Sequence, residues 1–367
     1  MALGEMCVIR QEFPGRRTLI LHSIAKFIAN YAYFRNSKVL PTSNFEPYFN
    51  GWSYEERRLG AFYEFKSISD YKKEELPLIS ILIRTCNRPE FFREALKSAV
   101  YQTWPNLEIV VVEDGSSSAQ SICQEYSHLR RIKYFQVSPK RGRSFAGNKA
   151  LSLCEGEWIN FLDDDDQLFA DHCQVLHDTC HKSGLLGAYA LAWRVFTEVF
   201  NYREAQYKEW ARDVCPNYPF DRQLMWKTNL FPIQAALFNR KIYELYGGFN
   251  ENMDQLEDWN MWCRYTSNHD FECVQRVTSL YRVPADNRES AKRQALLDDA
   301  YADAIQMQDE MVFTTTVSNV KKMIRENHRS SSSYNLKYYL ISRLKRYRSM
   351  LYIARLIQAF VNRSKSK

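Results

Sequence analysis

The sequence lacks the features that would mark a small secreted fold or a membrane protein. Its nine cysteines are odd in number and scattered, with no C-x-x-C pair, so neither a disulfide framework nor a dithiol redox motif is indicated. Free thiols in a reducing compartment are the plain expectation. One cluster, His172-Cys173…His177…Cys180-His181, could offer metal ligands from one helix face, but its spacing matches no common structural zinc pattern. Nowhere do about 18 apolar residues run together, so no membrane-spanning helix is expected. Glu5, Arg10, Glu12, Arg16 and Arg17 interrupt the start of the chain and leave no apolar stretch for a secretory signal. These absences point to the cytoplasm.

What is present suits an ordinary folded protein. The 367 residues are 45% apolar, 14% aromatic and 25% charged, enough to bury a large core without disulfides. The net charge of +7 is unevenly placed. Lys321 to Lys367 holds 13 Lys/Arg against the single acid Glu326, which leaves the rest of the chain mildly acidic. A nucleic-acid enzyme would carry its positive charge across the working face, so the basic tail is a separate feature.

Three segments are expected: an N-terminal extension over 1–76, a central domain over 77–290, and a helical basic extension over 291–367. In the first, His22–Phe34 has helix-like spacing, and Tyr71–Glu75 forms a charged linker closed by Pro77. The texture then changes. Short β-branched runs at 78–83, 107–112, 132–137 and 157–162 alternate with helix-like stretches at 91–101, 118–128 and 144–153. That alternation predicts an α/β fold with a mostly parallel central sheet, whose ligands collect at the carboxyl ends of the strands. Polar clusters lie at those ends: Thr85, Asn87 and Arg88 after the first strand, Asp114 and Ser116 after the second, and Asp163-Asp164-Asp165-Asp166 after the fourth.

Four adjacent carboxylates repel one another by roughly 1 kcal/mol per pair even in water. A hard divalent cation bridging to a diphosphate would offset that. A helix N-terminus would account for one or two of the acids but hardly for four. A second acidic pair, Glu257-Asp258, precedes Trp259 and Trp262. Paired carboxylates can separate their pKa values and leave one able to accept a proton. The two tryptophans could offer a face to a sugar ring or pack in the core.

The order Ile-Leu-Ile-Arg-Thr-Cys-Asn-Arg-Pro-Glu, then Gln-Thr-Trp-Pro-Asn-Leu-Glu-Ile-Val-Val-Val-Glu-Asp-Gly-Ser, then Ala-Gly-Asn-Lys-Ala-Leu and Gly-Glu-Trp-Ile-Asn-Phe-Leu-Asp-Asp-Asp-Asp resembles the family 2 glycosyltransferases of GT-A fold over about residues 78–290. The resemblance implies an inverting transfer from a nucleotide-diphosphate sugar. It gives Thr85, Asn87 and Arg88 to the base and diphosphate, Asp114 to a uracil-like edge, and Ser116, Arg143 and Asn148 to the donor pocket. Asp163 and Asp164 fall to the ribose side and Asp165 to Mn²⁺ or Mg²⁺, with Asp166 expected as a helix cap. Gln255-Leu-Glu-Asp-Trp-Asn-Met-Trp262 resembles the family's E-D-W motif, which makes Asp258 the base and Glu257 the residue that positions or tunes it. Trp259 and Trp262 become acceptor candidates. The sequence departs from the family pattern at Cys86, Gly147 and Pro284. Pro284 stands where a metal-side His is common, so the cation would rely on Asp165, phosphates and water.

Two other readings fit the same residues. A nucleotidyltransferase also uses an α/β sheet and acidic metal ligands, but the turn Thr85-Cys-Asn-Arg-Pro-Glu lacks the glycine such a phosphate loop needs. A non-catalytic nucleotide-sugar-binding protein is disfavoured by Glu257-Asp258. The implied partners are a nucleotide sugar and a carbohydrate or glycoconjugate acceptor of the bacterial surface-polysaccharide kind. From Tyr334 the tail places apolar residues among Arg343, Lys345, Arg346, Arg348 and Arg355. That is either a helix packed on the body or a contact with the inner face of an anionic membrane.

Overall fold

The computed structural model describes residues 76–215, 219–312, 315–318 and 320–321. The N-terminal extension up to residue 75 and the basic tail from Tyr334 lie outside the described residues, as does the expected helix at His22–Phe34. The strands and helices of the described residues up to Asp309 fall within one compact unit.

The first half alternates strand and helix: β1 (Ile79–Thr85), α1 (Pro89–Val100), β2 (Leu107–Asp114), α2 (Gln120–Tyr126), β3 (Arg131–Val137), α3 (Arg143–Leu153) and β4 (Trp158–Asp163). Every residue of β1 and β2 is buried, as parallel strands covered on both faces must be. Alternate side chains of β1 enter opposite cores. Ile79, Ile81 and Ile83 meet Phe92 and Leu96 of α1 and Leu176 of a later helix. Leu82 joins Ala146, Ala150 and Leu151 of α3 on the other face. Each such large apolar side chain contributes about 1.5–3 kcal/mol by leaving water. α1 begins with Pro89 in its first turn, where the missing N–H costs nothing. It buries Phe91, Phe92, Ala95, Leu96, Ala99 and Val100 along one stripe.

The second half completes the sheet with β5 (Gln167–Leu168), α4 (His172–Ser183), β6 (Gly187–Asn201), β7 (Gln206–Cys215), α5 (Arg222–Met225), a 3-10 turn at Ile233–Ala235, β8 (Ala236–Asn239), α6 (Arg240–Tyr246), α7 (Glu257–Tyr265), β9 (Glu272–Pro284) and α8 (Asn287–Asp309). Among the described residues the nine strands form one sheet in the order β3-β2-β1-β4-β8-β6-β9-β5, with β7 paired to β6. β1 to β4, β6 and β9 share one direction, while β5, β7 and β8 run against them. The sheet is thus mostly parallel, as expected. α8 is capped by the Asp286 carboxylate, which accepts from the N–H groups of Arg288 and Glu289, and it crosses position 290.

The register between β1 and β4 places Arg84 directly opposite Asp163. In a parallel pair such residues point to the same face, and a slip of one residue would send them to opposite faces.

Candidate functional site

Four polar groups converge at the carboxyl edge of the parallel strands. After β4, the turn Asp163–Asp166 closes with the Asp166 N–H on the Asp163 carbonyl (3.1 Å). Asp163 receives Arg84 Nε at 2.8 Å and Nη2 at 3.0 Å. Asp164 is buried, accepting from Thr85 Oγ1 (2.8 Å), the Cys86 N–H (3.2 Å) and the Arg88 guanidinium. Asp165 accepts Arg88 Nη1 at 2.7 Å and stays 32% exposed. Arg282 of β9 reaches the Asp165 carbonyl through Nη1, and its backbone N–H donates to Asp166 Oδ1 at 3.2 Å.

Thus three guanidinium groups, Arg84, Arg88 and Arg282, already offset the aspartate run. The repulsion that suggested a cation is met largely within the protein. Asp166 is not a helix cap: it binds the backbone of β9, and α4 starts only at His172, after Asp171. The sequence pattern could not show this because the partner lies 116 residues away.

Three of these carboxyls differ in how tightly they hold a proton. Burial pushes the Asp164 carboxyl up to about 7, against the pull of Arg88. Asp166 is raised by burial and by Asp165 and Asp163. At Asp165 burial opposes ionisation, but Arg88 and Arg282 outweigh it and hold the carboxyl below the usual range. Asp165 is therefore an ionised and accessible member of the run.

At the end of β2, both oxygens of Asp114 are taken at 2.7 Å by the backbone N–H groups of Arg141 and Gly142, which lead into α3. Asn87 adopts a left-handed backbone (φ 55°), and its Oδ1 accepts the Ser116 N–H (3.0 Å) and Oγ (2.7 Å). Gly115 is required for that approach, since a Cβ there would lie 2.7 Å from Asn87 Oδ1.

The second acidic pair opens α7, where the helix dipole favours negative charge. Glu257 is buried and receives Arg84 Nη1 at 3.1 Å, with Arg143 Nη1 at 3.7 Å. Asp258 accepts from Asn229 Nδ2 (2.8 Å) and from the Trp259 N–H (2.7 Å). Burial and the neighbouring Glu257 push its carboxyl up to about 6. A carboxyl so placed changes charge close to neutrality, as a general base requires.

Other residues selected from the sequence have their polar atoms or rings engaged by other parts of the fold. Asn148 has its amide on the 248–251 loop, donating to Phe249 O (3.0 Å) and Glu251 Oε1 (2.9 Å) and accepting from the Phe249 N–H (2.7 Å). Trp259 and Trp262 are 1% and 0% exposed. Trp259 donates its indole N–H to Met225 O (2.6 Å) and stacks on Tyr301, while Trp262 packs among Phe231, Phe238 and Phe271. Neither can offer a ring face to an acceptor sugar, so the expectation of acceptor contact at these two residues is corrected. They belong to the core. In the cysteine–histidine cluster, His177 packs against Trp104 and Trp158, and His172 bonds Thr278 and Asn160.

The family model of glycosyl transferase family 2 matches residues 80–247, the segment that supplies the aspartate turn and the strand ends around it. Residues 80–247 form a glycosyl transferase family 2 domain. Among similar proteins, WcaA of Escherichia coli K12, named for glycosyl transfer in colanic acid biosynthesis, is 27% identical over 190 residues, 51% of this chain and 66% of that protein. Chondroitin synthase of Escherichia coli is 24% identical over 225 residues, 60% of this chain and 31% of that one. A Campylobacter jejuni GalNAc(5)-diNAcBac-PP-undecaprenol beta-1,3-glucosyltransferase is 37% identical over 104 residues, 28% and 34%. The chain spans less than two thirds of the length of each. Among solved structures, Staphylococcus aureus TarS with UDP-GlcNAc aligns over 58% of this chain and 60% of its own at 15% identity and a TM-score of 0.48.

Within the family 2 domain and the helix that follows it, the donor set can be tested for a cation. Among the described residues no group of three or more His, Cys, Asp or Glu is arranged to hold a metal. Asp165 combines an ionised carboxylate with exposure, and a single carboxylate supplemented by diphosphate oxygens and water suits Mg²⁺ or Mn²⁺. The residues fit that limited role.

Arg84, Arg282 and Asn229 were not singled out from the sequence. For Arg84 a signal existed: an arginine within a strand buried on both faces must have a partner. For Asn229 there was none.

Proposed function

We propose that the chain is an inverting glycosyltransferase that moves a sugar from a nucleoside-diphosphate sugar, a UDP-sugar by preference, to an acceptor hydroxyl. The observation that carries this reading is the meeting of two acid groups at one strand edge: the Asp163–Asp165 turn in the family 2 domain, and the pair Glu257-Asp258 with its raised Asp258 carboxyl. One group suits a nucleotide sugar and the other a proton acceptor, and both lie at the carboxyl end of the parallel strands.

The donor is held by the turn after β1, with Thr85, Asn87 and Arg88, and by Asp114 and Ser116 after β2. Arg143 lies beside them at the start of α3. Asp163 and Asp164 take the ribose side. Asp165 would hold a divalent cation, whose charge would offset that of the leaving diphosphate. Asp258 accepts the proton of the acceptor hydroxyl, whose oxygen attacks the anomeric carbon in line as the C–O bond to the diphosphate breaks. Glu257 keeps the Asp258 carboxyl basic enough for this. A carbohydrate or glycoconjugate acceptor, as in bacterial surface polysaccharides, is favoured by the names of the Escherichia coli and Campylobacter jejuni relatives. No helix among the described residues is long and apolar enough to cross a membrane. Action in the cytoplasm or at its membrane face, through the basic tail, belongs to the same proposal.

The test measures nucleoside diphosphate release from UDP-, GDP- and TDP-sugars with and without Mn²⁺. Metal-dependent release from one donor class is expected. Absence of metal-dependent binding of any nucleotide would reject the reading.

A further inference from the structure

We propose that Arg84 is the positioning residue that joins the donor-side acids to the base pair and holds the two at a fixed separation. The inference rests on the transfer reading above and adds a residue to it. Arg84 is the penultimate residue of β1, and the β1–β4 register sets it opposite Asp163. Its guanidinium divides its donors: Nε and Nη2 go to Asp163, and Nη1 goes to Glu257 on α7. One side chain thereby hydrogen-bonds both acid groups.

Its placement is rigid. The residue is 6% exposed, with the guanidinium 5.2 Å from the Phe249 ring centre and 5.9 Å from that of Phe161. Gly147 makes the space: a Cβ there would stand 2.4 Å from Phe249 and 3.5 Å from the Arg84 stem. A planar fork of this kind binds two carboxylates at once, which a lysine ammonium cannot do with the same geometry. Misplacement of reacting groups by about 1 Å can cost on the order of a hundredfold in rate, so a clamp between donor turn and base pair has leverage on turnover.

Arg84 also acts on Asp258 through charge. The charged and titratable groups around Asp258 are Glu257 beside it, Arg84 from β1, Cys263 further along α7 and Arg143 beyond Glu257, with Tyr301 of α8 stacked on the next residue. Against burial and Glu257, the Asp258 carboxyl is lowered by the Trp259 N–H and Asn229 Nδ2 and then by the Arg84 charge. Removing it lets Asp258 hold its proton to higher pH.

The test compares Arg84→Met and Arg84→Lys with wild type in the full chain, reading kcat and the acid limb of the pH profile of kcat/KM. Arg84→Met should lower kcat about tenfold or more and move the acid limb up by roughly half a pH unit. Arg84→Lys, which keeps the charge and loses the fork, should lower kcat while leaving the limb in place. A folded Arg84→Met whose limb does not move, or an Arg84→Lys with full kcat, overturns the proposal. Should Arg84→Met fail to fold, the Arg84→Lys result decides alone. Asp258→Asn is assayed alongside. Full turnover in that variant would reject the base assignment itself, whereas an inactive Asp258→Asn with an unmoved Arg84→Met limb rejects only the role of Arg84.

Discussion

Asp258 ties the chemistry of the site to a measurable pH. Burial and Glu257 raise its carboxyl to about 6, while the Trp259 N–H, Asn229 Nδ2 and Arg84 pull it down. The base form predominates only above that value, so kcat/KM should rise through an apparent pKa of about 6 and level off by neutrality. One unit below the midpoint, about a tenth of the plateau should remain. Asn229→Ala removes a donor that favours the charged carboxylate, so the limb should move up by roughly half a unit to one unit. The same raised carboxyl has a stability signature of opposite sign. A group that binds its proton more tightly when folded destabilises the protein above its folded value, and the cost disappears as pH falls toward the unfolded carboxylate value. Asp258→Asn should therefore be inactive yet more stable at pH 7.5, by about 1–3 kcal/mol, with the gain vanishing near pH 4. Initial rates across pH 4.5–8 and urea unfolding at two pH values measure both. A flat rate profile between pH 5 and pH 7 would refute the argument, as would an Asp258→Asn variant that is active or less stable at neutral pH.

Four further outcomes are expected. Asp165→Ala should weaken Mn²⁺-dependent nucleotide binding at least about tenfold by calorimetry while leaving the unfolding midpoint nearly unchanged, since its side-chain partner Arg88 keeps Asp164. Gly147→Ala should destabilise by about 1–3 kcal/mol, because its Cβ would lie 2.4 Å from Phe249; thermal unfolding reports it. Trp262→Ala should cost about 3–5 kcal/mol as a core truncation, and Trp262→Phe should leave the acceptor KM unchanged. Asn148→Ala should lower stability by about 1–3 kcal/mol, since it strands the buried end of the 248–251 loop, with donor KM altered less than stability.

The first half of the fold was legible because its signals are local. Ile79, Ile81 and Ile83 alternate with residues that meet the opposite core, and α1 carries its apolar residues at helical spacing, so periodicity alone located β1 and α1. The second half resisted because β6 pairs with β8 and β9 across long separations, and no short window contains such a pairing. The tryptophans show the same limit: an aromatic next to an acidic pair reads equally well as platform or core, and only the packing of Phe231, Phe238 and Phe271 around Trp262 distinguishes them.

The sequence by itself determined the alternating α/β plan, the strand ends at which function collects, and the two acidic groups, because composition and spacing along the chain encode these directly. Tertiary structure alone decided how the charges are compensated. Arg84 reaches Asp163 across 79 residues and Glu257 across 173, and Arg282 reaches Asp165 across 117. Whether a carboxylate faces a cation, a guanidinium or a backbone amide depends on what the sheet register and the turns bring beside it, and that is a property of contacts between distant residues.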